Sequence, residues 1–368
     1  MEIPFINVHR EYDELKDSIA ASLETFFARG KYILGEAVEQ FEQSFAEYCG
    51  CKFGIGVANG TDAIQIALQA CGVKHGDEVI TVANTAVPTV SAICATGALP
   101  VFVDIDAQTC LLDVNKLKNA LSPKTRAVVP VHLYGQAVDM EPLLEFAQSH
   151  SLYVIEDCAQ AHGALYKGAK VGSFGNAAAF SFYPTKNLGA YGDAGMVVTN
   201  DSQIDKQCRL LRNYGFTDRY ITVRQGYNSR LDELQAGFLQ VKLSHLDHWN
   251  DVRRELAELY TEQLGLIQAL RTPQCRDNAK HVYHLYVIQT DRRDELRSFL
   301  ADRKICTLIH YPLPIHLQEA YSGLGYKPGD LPATESVTGR ILSLPLNPWV
   351  TEDEQLIVID AIKSFFKR

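Results

Sequence analysis

Between residues 50 and 200, short runs of apolar and β-branched residues alternate with segments of helical length, and no other feature constrains the fold as much. Seven runs read as strands: 53–58, 79–83, 101–104, 127–132, 152–156, 178–182 and 196–199. Helices fit between them at 61–70, 90–96, 114–120 and 140–150, the last after the N-cap candidate Asp139. Strands separated by helices imply crossover connections, hence one mostly parallel sheet buried on both faces, with functional loops at the strand carboxyl ends.

Beyond residue 200 the rhythm changes. From Leu231 to Leu264 there is no proline, and Leu231, Leu234, Phe238 and Val241 follow helical spacing, which predicts one long helix joining two domains. A strand at 282–289, a helix at 293–303, a strand at 305–310, a proline-punctuated stretch and a final helix then make a smaller α/β unit. With 46% hydrophobic residues in 368, the chain has material for one large core and a second small one. The expected domains are residues 1–240, whose first helix can pack on the small domain, and 241–368.

A net charge of −9 without a Lys/Arg-rich run argues against nucleic acid or an anionic membrane as partner. Residues 1–15 lack the basic head and apolar core of a signal sequence, and no later run is long enough to span a bilayer, so a cytoplasmic protein is expected. The nine cysteines offer only Cys49-x-Cys51, without paired metal-binding arms. They read as reduced, mostly buried thiols, and no metal site is expected.

Three elements carry chemistry. In SFYPTKNLGAYGDAG, Lys186 follows a strand of small residues and precedes Gly189, Gly192 and Gly195. A lysine there, beside neutral and aromatic groups, sheds its proton more easily and can form a Schiff base with an aldehyde. In LYVIEDCAQAH a buried strand ends in Glu156 and Asp157, whose side chains point to opposite sheet faces, so one acid can face a ligand and hold a pyridine nitrogen protonated. In VANGTDAIQIAL a strand enters a helix through Asn-Gly-Thr-Asp, and the unpaired amides with the Thr61 hydroxyl can receive a phosphate. Asp62 would repel that phosphate if its side chain faced it, so the contact falls to backbone and Thr61. Each element alone has an ordinary explanation: a solvated loop lysine, carboxylates capping amides or paired with arginine, a helix N-cap. Together they describe one ligand with a phosphate, a pyridine and an aldehyde.

At these residues the chain resembles the DegT/DnrJ/EryC1/StrS sugar aminotransferases. The likeness extends through KYILGEAVEQFEQSFAEYCG, GDEVI, VHLYGQ, EDCAQAHGA, GYNSRLDELQAGFL, HYPLPIH and LSLPLNPWVT, essentially the whole chain. The resemblance implies the aspartate aminotransferase architecture, pyridoxal 5′-phosphate as cofactor with pyridoxamine phosphate as its intermediate form, and a nucleotide-linked keto sugar aminated at the expense of glutamate. Lys186 then matches the Schiff-base lysine, Asp157 the pyridine-nitrogen partner and Gln160 the group near the ring hydroxyl. Gly60, Thr61 and Ser181 match phosphate contacts, with Asp62 beside them in the cofactor-binding set. Asn228 matches an asparagine reaching the phosphate from a neighbouring subunit, implying a homodimer with composite sites. His162 lies beside the cofactor, and Tyr183, Arg219 and Tyr311 line the substrate side, the last two from the second subunit.

VHLYGQ, with Gln136 where relatives acting at carbon 4 often have His, is more like the 3-aminotransferases. The substrate expected is therefore a TDP-linked 3-keto-6-deoxyhexose, with 4-amination the nearest alternative and a non-catalytic cofactor-binding regulator the next. Related dehydratases carry a histidine in place of the lysine, so Lys186 argues against that chemistry. There are departures: Ala86 stands where many relatives carry a stacking aromatic, Ala194 where they have glycine, and Thr185 where glycine is frequent. His310 and His316, near prolines, and Trp249 and Trp349 read equally well as packing residues.

Overall fold

A computed structural model describes residues 2–367. Its centre is a seven-stranded sheet of β1 (Phe53–Val57), β2 (Glu78–Val82), β3 (Leu99–Val103), β4 (Thr125–Val128), β5 (Tyr153–Asp157), β6 (Ala177–Ser181) and β7 (Gly195–Thr199), in the order β1-β7-β6-β5-β4-β2-β3. Strands β2 to β6 pair in parallel, and β7 runs antiparallel to both its neighbours. The expected α/β architecture with a mostly parallel sheet is observed.

Alternation along the strands divides the core. On β6, Ala177 and Ala179 pack with Ile55, Val57, Ile66 and Val197 on one face. Ala178 and Phe180 pack with Phe41, Phe45, Met196 and Val198 on the other. Helices α3 (Gly60–Ala70), α4 (Val87–Ala95) and α6 (Ser202–Leu211) belong to the first face, and α2 (Glu36–Cys49) to the second. Segment 114–120, expected as a helix, is a 3₁₀ turn, and α5 (Met140–Ser149) follows Asp139 as read.

The expected single helix over 231–264 is two, α7 (Glu233–Leu243) and α8 (Leu246–Leu264). The helix is interrupted at Ser244, whose hydroxyl donates to Val241 O at 2.8 Å. Phe238 of α7 packs with Leu15 and Ile19 of α1 (Val8–Arg29). Ala257, Tyr260 and Leu264 of α8 enter a separate core with Ile3, Tyr286, Ile288, Leu342, Leu344, Val358 and Ile362. That core holds an antiparallel pair, Tyr286–Gln289 with Ile341–Leu344, flanked by α9 (Arg293–Ala301) and α10 (Glu352–Phe366).

Two expected strands shrink for a stated reason. Residues 282–285 give backbone bonds to the large sheet's loop instead, Val282 N to Gly135 O at 3.0 Å and Leu285 N to Tyr134 O at 3.3 Å. Segment 305–310 divides its pairing between Ile3 and Ser343 and makes only isolated bridges. Trp249 and Trp349 meet edge to face at 5.3 Å and are packing residues. All nine cysteines are free, six of them buried. No helix among the described residues is long and apolar enough to cross a membrane.

Candidate active site

Strand β1 ends where α3 begins. Asn59 caps α3 by accepting from Asp62 N at 2.8 Å, and the first intrahelical bond is Ala63 N to Asn59 O, so the amides of Gly60 and Thr61 precede the hydrogen-bonded ladder. A Cβ on Gly60 would lie 2.5 Å from Ser181 Cβ, and one on Gly195 would lie 2.3 Å from Asn59 O. These two close approaches bring the Ser181 hydroxyl to the helix start and explain glycine at both positions. The Asp62 carboxylate is turned aside: Ser229 Oγ donates to its Oδ2 at 2.6 Å while accepting from Ala58 N at 3.1 Å. The result is an anion cup with its own acid held away.

Asp157 is the last residue of β5 and is buried. Its Oδ2 accepts from Thr89 Oγ1 at 2.8 Å and its Oδ1 from Ala159 N at 3.1 Å. Burial raises its pKa, opposed by these bonds and by the charge of Lys186. Lys186 sits half-buried on the turn after β6, where its amide donates to Tyr183 O at 2.8 Å. Desolvation lowers its pKa to about 8, with Asp157 acting in the opposite sense. Such an amine has a substantial neutral fraction near neutral pH and is nucleophilic.

Gln160 joins two segments. Its Oε1 accepts from Tyr134 N at 2.7 Å, and its Nε2 donates to Tyr311 OH at 3.1 Å. Tyr311 therefore belongs to the site of its own chain, correcting its expected place in a second subunit: the 310–314 segment folds back over the large sheet, where Tyr134 OH also bonds His310 O. Tyr183 lies on the Lys186 turn with its side chain half-exposed, at 53%. His162 is fully buried among Phe45, Phe180 and Phe182, and neither ring nitrogen has a hydrogen-bond partner among the described residues. Desolvation lowers its pKa to about 3, so it is neutral. Arg219 and Asn228 are not gathered with this group. Arg219 stands on the exposed hairpin Phe216–Thr222 with its guanidinium 5.3 Å from the Tyr220 ring, and Asn228 is exposed at the bridge to Asn213.

Several participants were not singled out from sequence. Thr89 could have been suspected only from its i,i+4 spacing to Thr85; Ser229 gives no local signal. His284 bonds Asn187 Oδ1 through Nδ1 at 3.1 Å just after Lys186, and burial lowers its pKa well below the usual value. His310 is held neutral in the same way, at about 4, and bonds Ser343 Oγ at 2.8 Å, while His316 pairs with Glu335. Gln136 satisfies backbone groups of its own chain. Its Oε1 accepts from Arg276 N at 2.8 Å and its Nε2 donates to Gln274 O at 3.0 Å, so both ends of the amide fasten a loop and neither is left for a sugar hydroxyl.

A cup for a dianion, a buried carboxylate with unfilled acceptor capacity and a lysine of depressed pKa converge at the carboxyl edge of a mostly parallel sheet. They fit the phosphate, ring nitrogen and aldehyde of pyridoxal phosphate, which defines the class as a pyridoxal-phosphate-dependent enzyme. The chain belongs to the DegT/DnrJ/EryC1/StrS aminotransferase family, whose model matches residues 13–363. It is 43% identical to the dTDP-3-amino-3,4,6-trideoxy-alpha-D-glucose transaminase of Streptomyces venezuelae, over 100% of this chain and 97% of that one. It is 46% identical to a Geobacillus stearothermophilus protein called a pleiotropic regulatory protein, over 100% and 99%. The structure of S. venezuelae DesV in complex with a ketimine intermediate superposes with a TM-score of 0.98 at 43% identity, over 100% of this chain and 99% of that one. The protein is a sugar nucleotide transaminase that uses pyridoxal phosphate.

Proposed function

We propose that the chain transfers an amino group from glutamate to carbon 3 of a dTDP-linked 3-keto-6-deoxyhexose. The observation that carries the chemistry is the meeting of Lys186, half-buried with a pKa near 8, and Asp157 at adjacent strand ends. The S. venezuelae relative named for a 3-amino sugar supports the choice of carbon 3; Gln136, engaged with its own loop, does not.

Bound here, the cofactor supplies an aldehyde for the amino group and a ring that draws electrons from it. Gly60, Thr61 and Ser181 hold its phosphate, Asp157 keeps its ring nitrogen protonated, and Gln160 stands near its ring hydroxyl. Lys186 Nζ, once displaced by the donor, carries the proton to and from the amino-bearing carbon, first of glutamate and then of the sugar. Donor and acceptor use the site in turn. Tyr183 and Tyr311, with Arg219 from the neighbouring subunit, line the approach of the sugar, while His162 packs beneath the site among Phe45, Phe180 and Phe182.

The reading includes a cytoplasmic homodimer in which Asn228 and Arg219 complete the neighbouring subunit's site. An exposed apolar surface supports it: Phe27, Tyr32, Ile33, Tyr220, Ile221 and Val223 are each 45 to 78% exposed. Mixing Lys186→Ala with a weakened Asn228→Ala variant under subunit exchange should restore activity, since one hybrid site is intact. A fully active monomer contradicts the dimer.

The substrate test couples the protein to a 3,4-ketoisomerase with glutamate as donor and reads the product by NMR. A 3-amino sugar is expected; amination of only the 4-keto precursor overturns carbon 3. The G. stearothermophilus relative's name favours a second reading, a regulator without turnover, which any multiple-turnover product formation excludes.

A further inference from the structure

Asp157 faces a physical difficulty that its neighbours must solve. A carboxylate serves a ring nitrogen only while ionised, yet burial favours the neutral acid. The charged or titratable groups near it are Lys186 on the turn after β6, His132 before the 3₁₀ turn, Cys158 next in sequence and Tyr311 from the returning segment. His132 accepts from Val138 N at Nδ1 and meets Glu156 through Nε2, so both ring nitrogens are engaged away from Asp157. Positive charge reaches Asp157 from Lys186 and His132, and both favour its ionised form less than the direct bonds from Thr89 and Ala159 do.

What remains is a pair of hydroxyls. Thr89, in the first turn of α4, donates to Asp157 Oδ2 at 2.8 Å, and its oxygen lies 2.8 Å from Thr85 Oγ1. Both threonines are buried, 1% and 2% exposed. Thr89 has one hydroxyl proton, and the Asp157 bond uses it, so the contact between the threonines has one polarity: Thr85 donates to Thr89. Each donation strengthens the next, and the chain ends on the carboxylate. Thr85 lies on the loop two residues before α4, so the hydroxyl pair ties that loop to the helix's first turn and to the end of β5.

We propose that Thr89, polarised by Thr85, is a positioning residue that holds Asp157 ionised and aims it at the cofactor's ring nitrogen. This rests on the reading of Asp157 as the ring-nitrogen partner. The hydroxyl pair favours the ionised carboxylate by direct donation, and it does so without adding a charge. Removing the Thr89 donor makes Asp157 protonate at higher pH. The contribution of the ionised carboxylate is lost as pH falls, so cofactor retention fails earlier on acidification.

The test compares wild type, Thr89→Val, Thr89→Ser, Thr85→Val and Asp157→Asn as purified holoenzymes. The readouts are the equilibrium affinity for pyridoxal phosphate and the pH at which the bound cofactor's absorption is half lost. Thr89→Val should bind about tenfold more weakly, the scale of a hydrogen bond to a charged group, and its acid midpoint should rise by about one pH unit. Thr89→Ser should match wild type. Thr85→Val should fall between, about two- to threefold weaker, and it carries the test should Thr89→Val not fold. Wild-type behaviour of Thr89→Val or, failing that, of Thr85→Val, alongside a damaged Asp157→Asn, overturns the positioning role and leaves Asp157 in place. Equal damage in Thr89→Ser and Thr89→Val also overturns it, because the methyl group and not the hydroxyl would then matter. If Asp157→Asn itself behaves as wild type, the assignment of Asp157 falls, and the role of Thr89 with it.

Discussion

Glu156 and Asp157 stand side by side at the end of β5, both buried, and their surroundings differ in kind. Glu156 accepts four bonds: Phe174 N and Gly175 N on Oε1 at 2.9 and 2.8 Å, Gly172 N and His132 Nε2 on Oε2 at 2.9 and 3.0 Å. Asp157 accepts two and sits beside Lys186. A carboxylate offers about four lone-pair sites. The saturated acid fastens the 172–175 loop beneath the sheet, and the unsaturated one keeps capacity for a ligand on the other face. Strand alternation produced both from one dipeptide. The same contrast separates His132, Glu156 and Cys158, which lie close enough to hold a metal, from a real ligand set: the acid and the histidine are already committed to each other and to backbone.

The comparison can be broken at several points. Asp157→Asn should lower turnover by on the order of 10²- to 10³-fold with little change in melting temperature; equal loss of stability would put both acids in one structural class. Glu156→Gln should do the reverse. It leaves backbone donors poorly paired and should cost roughly 3 kcal/mol of stability in denaturant unfolding, while the folded fraction keeps turnover. The pH dependence sharpens the point. Lys186 must be neutral to attack an aldehyde, so incorporation of pyridoxal phosphate into apoprotein should speed up as pH rises through about 8 and level off above it. Since Asp157 supports the charged amine, Asp157→Asn should move that midpoint down. The smallest effect is expected at Gln136. Gln136→Ala should leave the position of amination unchanged and mainly loosen the 274–276 loop, seen as faster amide exchange there; a switched product would give Gln136 a part in orienting the sugar.

The large sheet was legible because parallel strands buried on both faces read as continuous apolar runs between helices. Lys186 and Asp157 were legible because each follows such a run. Other features depend on partners distant in sequence. Glu233 at the start of α7 receives the amides of Gly35 and Val38 at 2.6 and 3.0 Å and so caps α2. The break at Ser244 carries neither glycine nor proline, so no residue there signals it. Gln136 had the chemistry of a sugar ligand, and only the position of Gln274 and Arg276 shows where its amide is spent. Tyr311 was placed across an interface by the family resemblance, yet the fold returns it to Gln160 of its own chain.

Reduction of the holoenzyme with borohydride, followed by peptide mass spectrometry, tests the account at its centre. One labelled peptide is predicted, carrying the cofactor on Lys186, with the label and all turnover absent from Lys186→Ala. A label on any other lysine, or turnover that survives Lys186→Ala, contradicts the account.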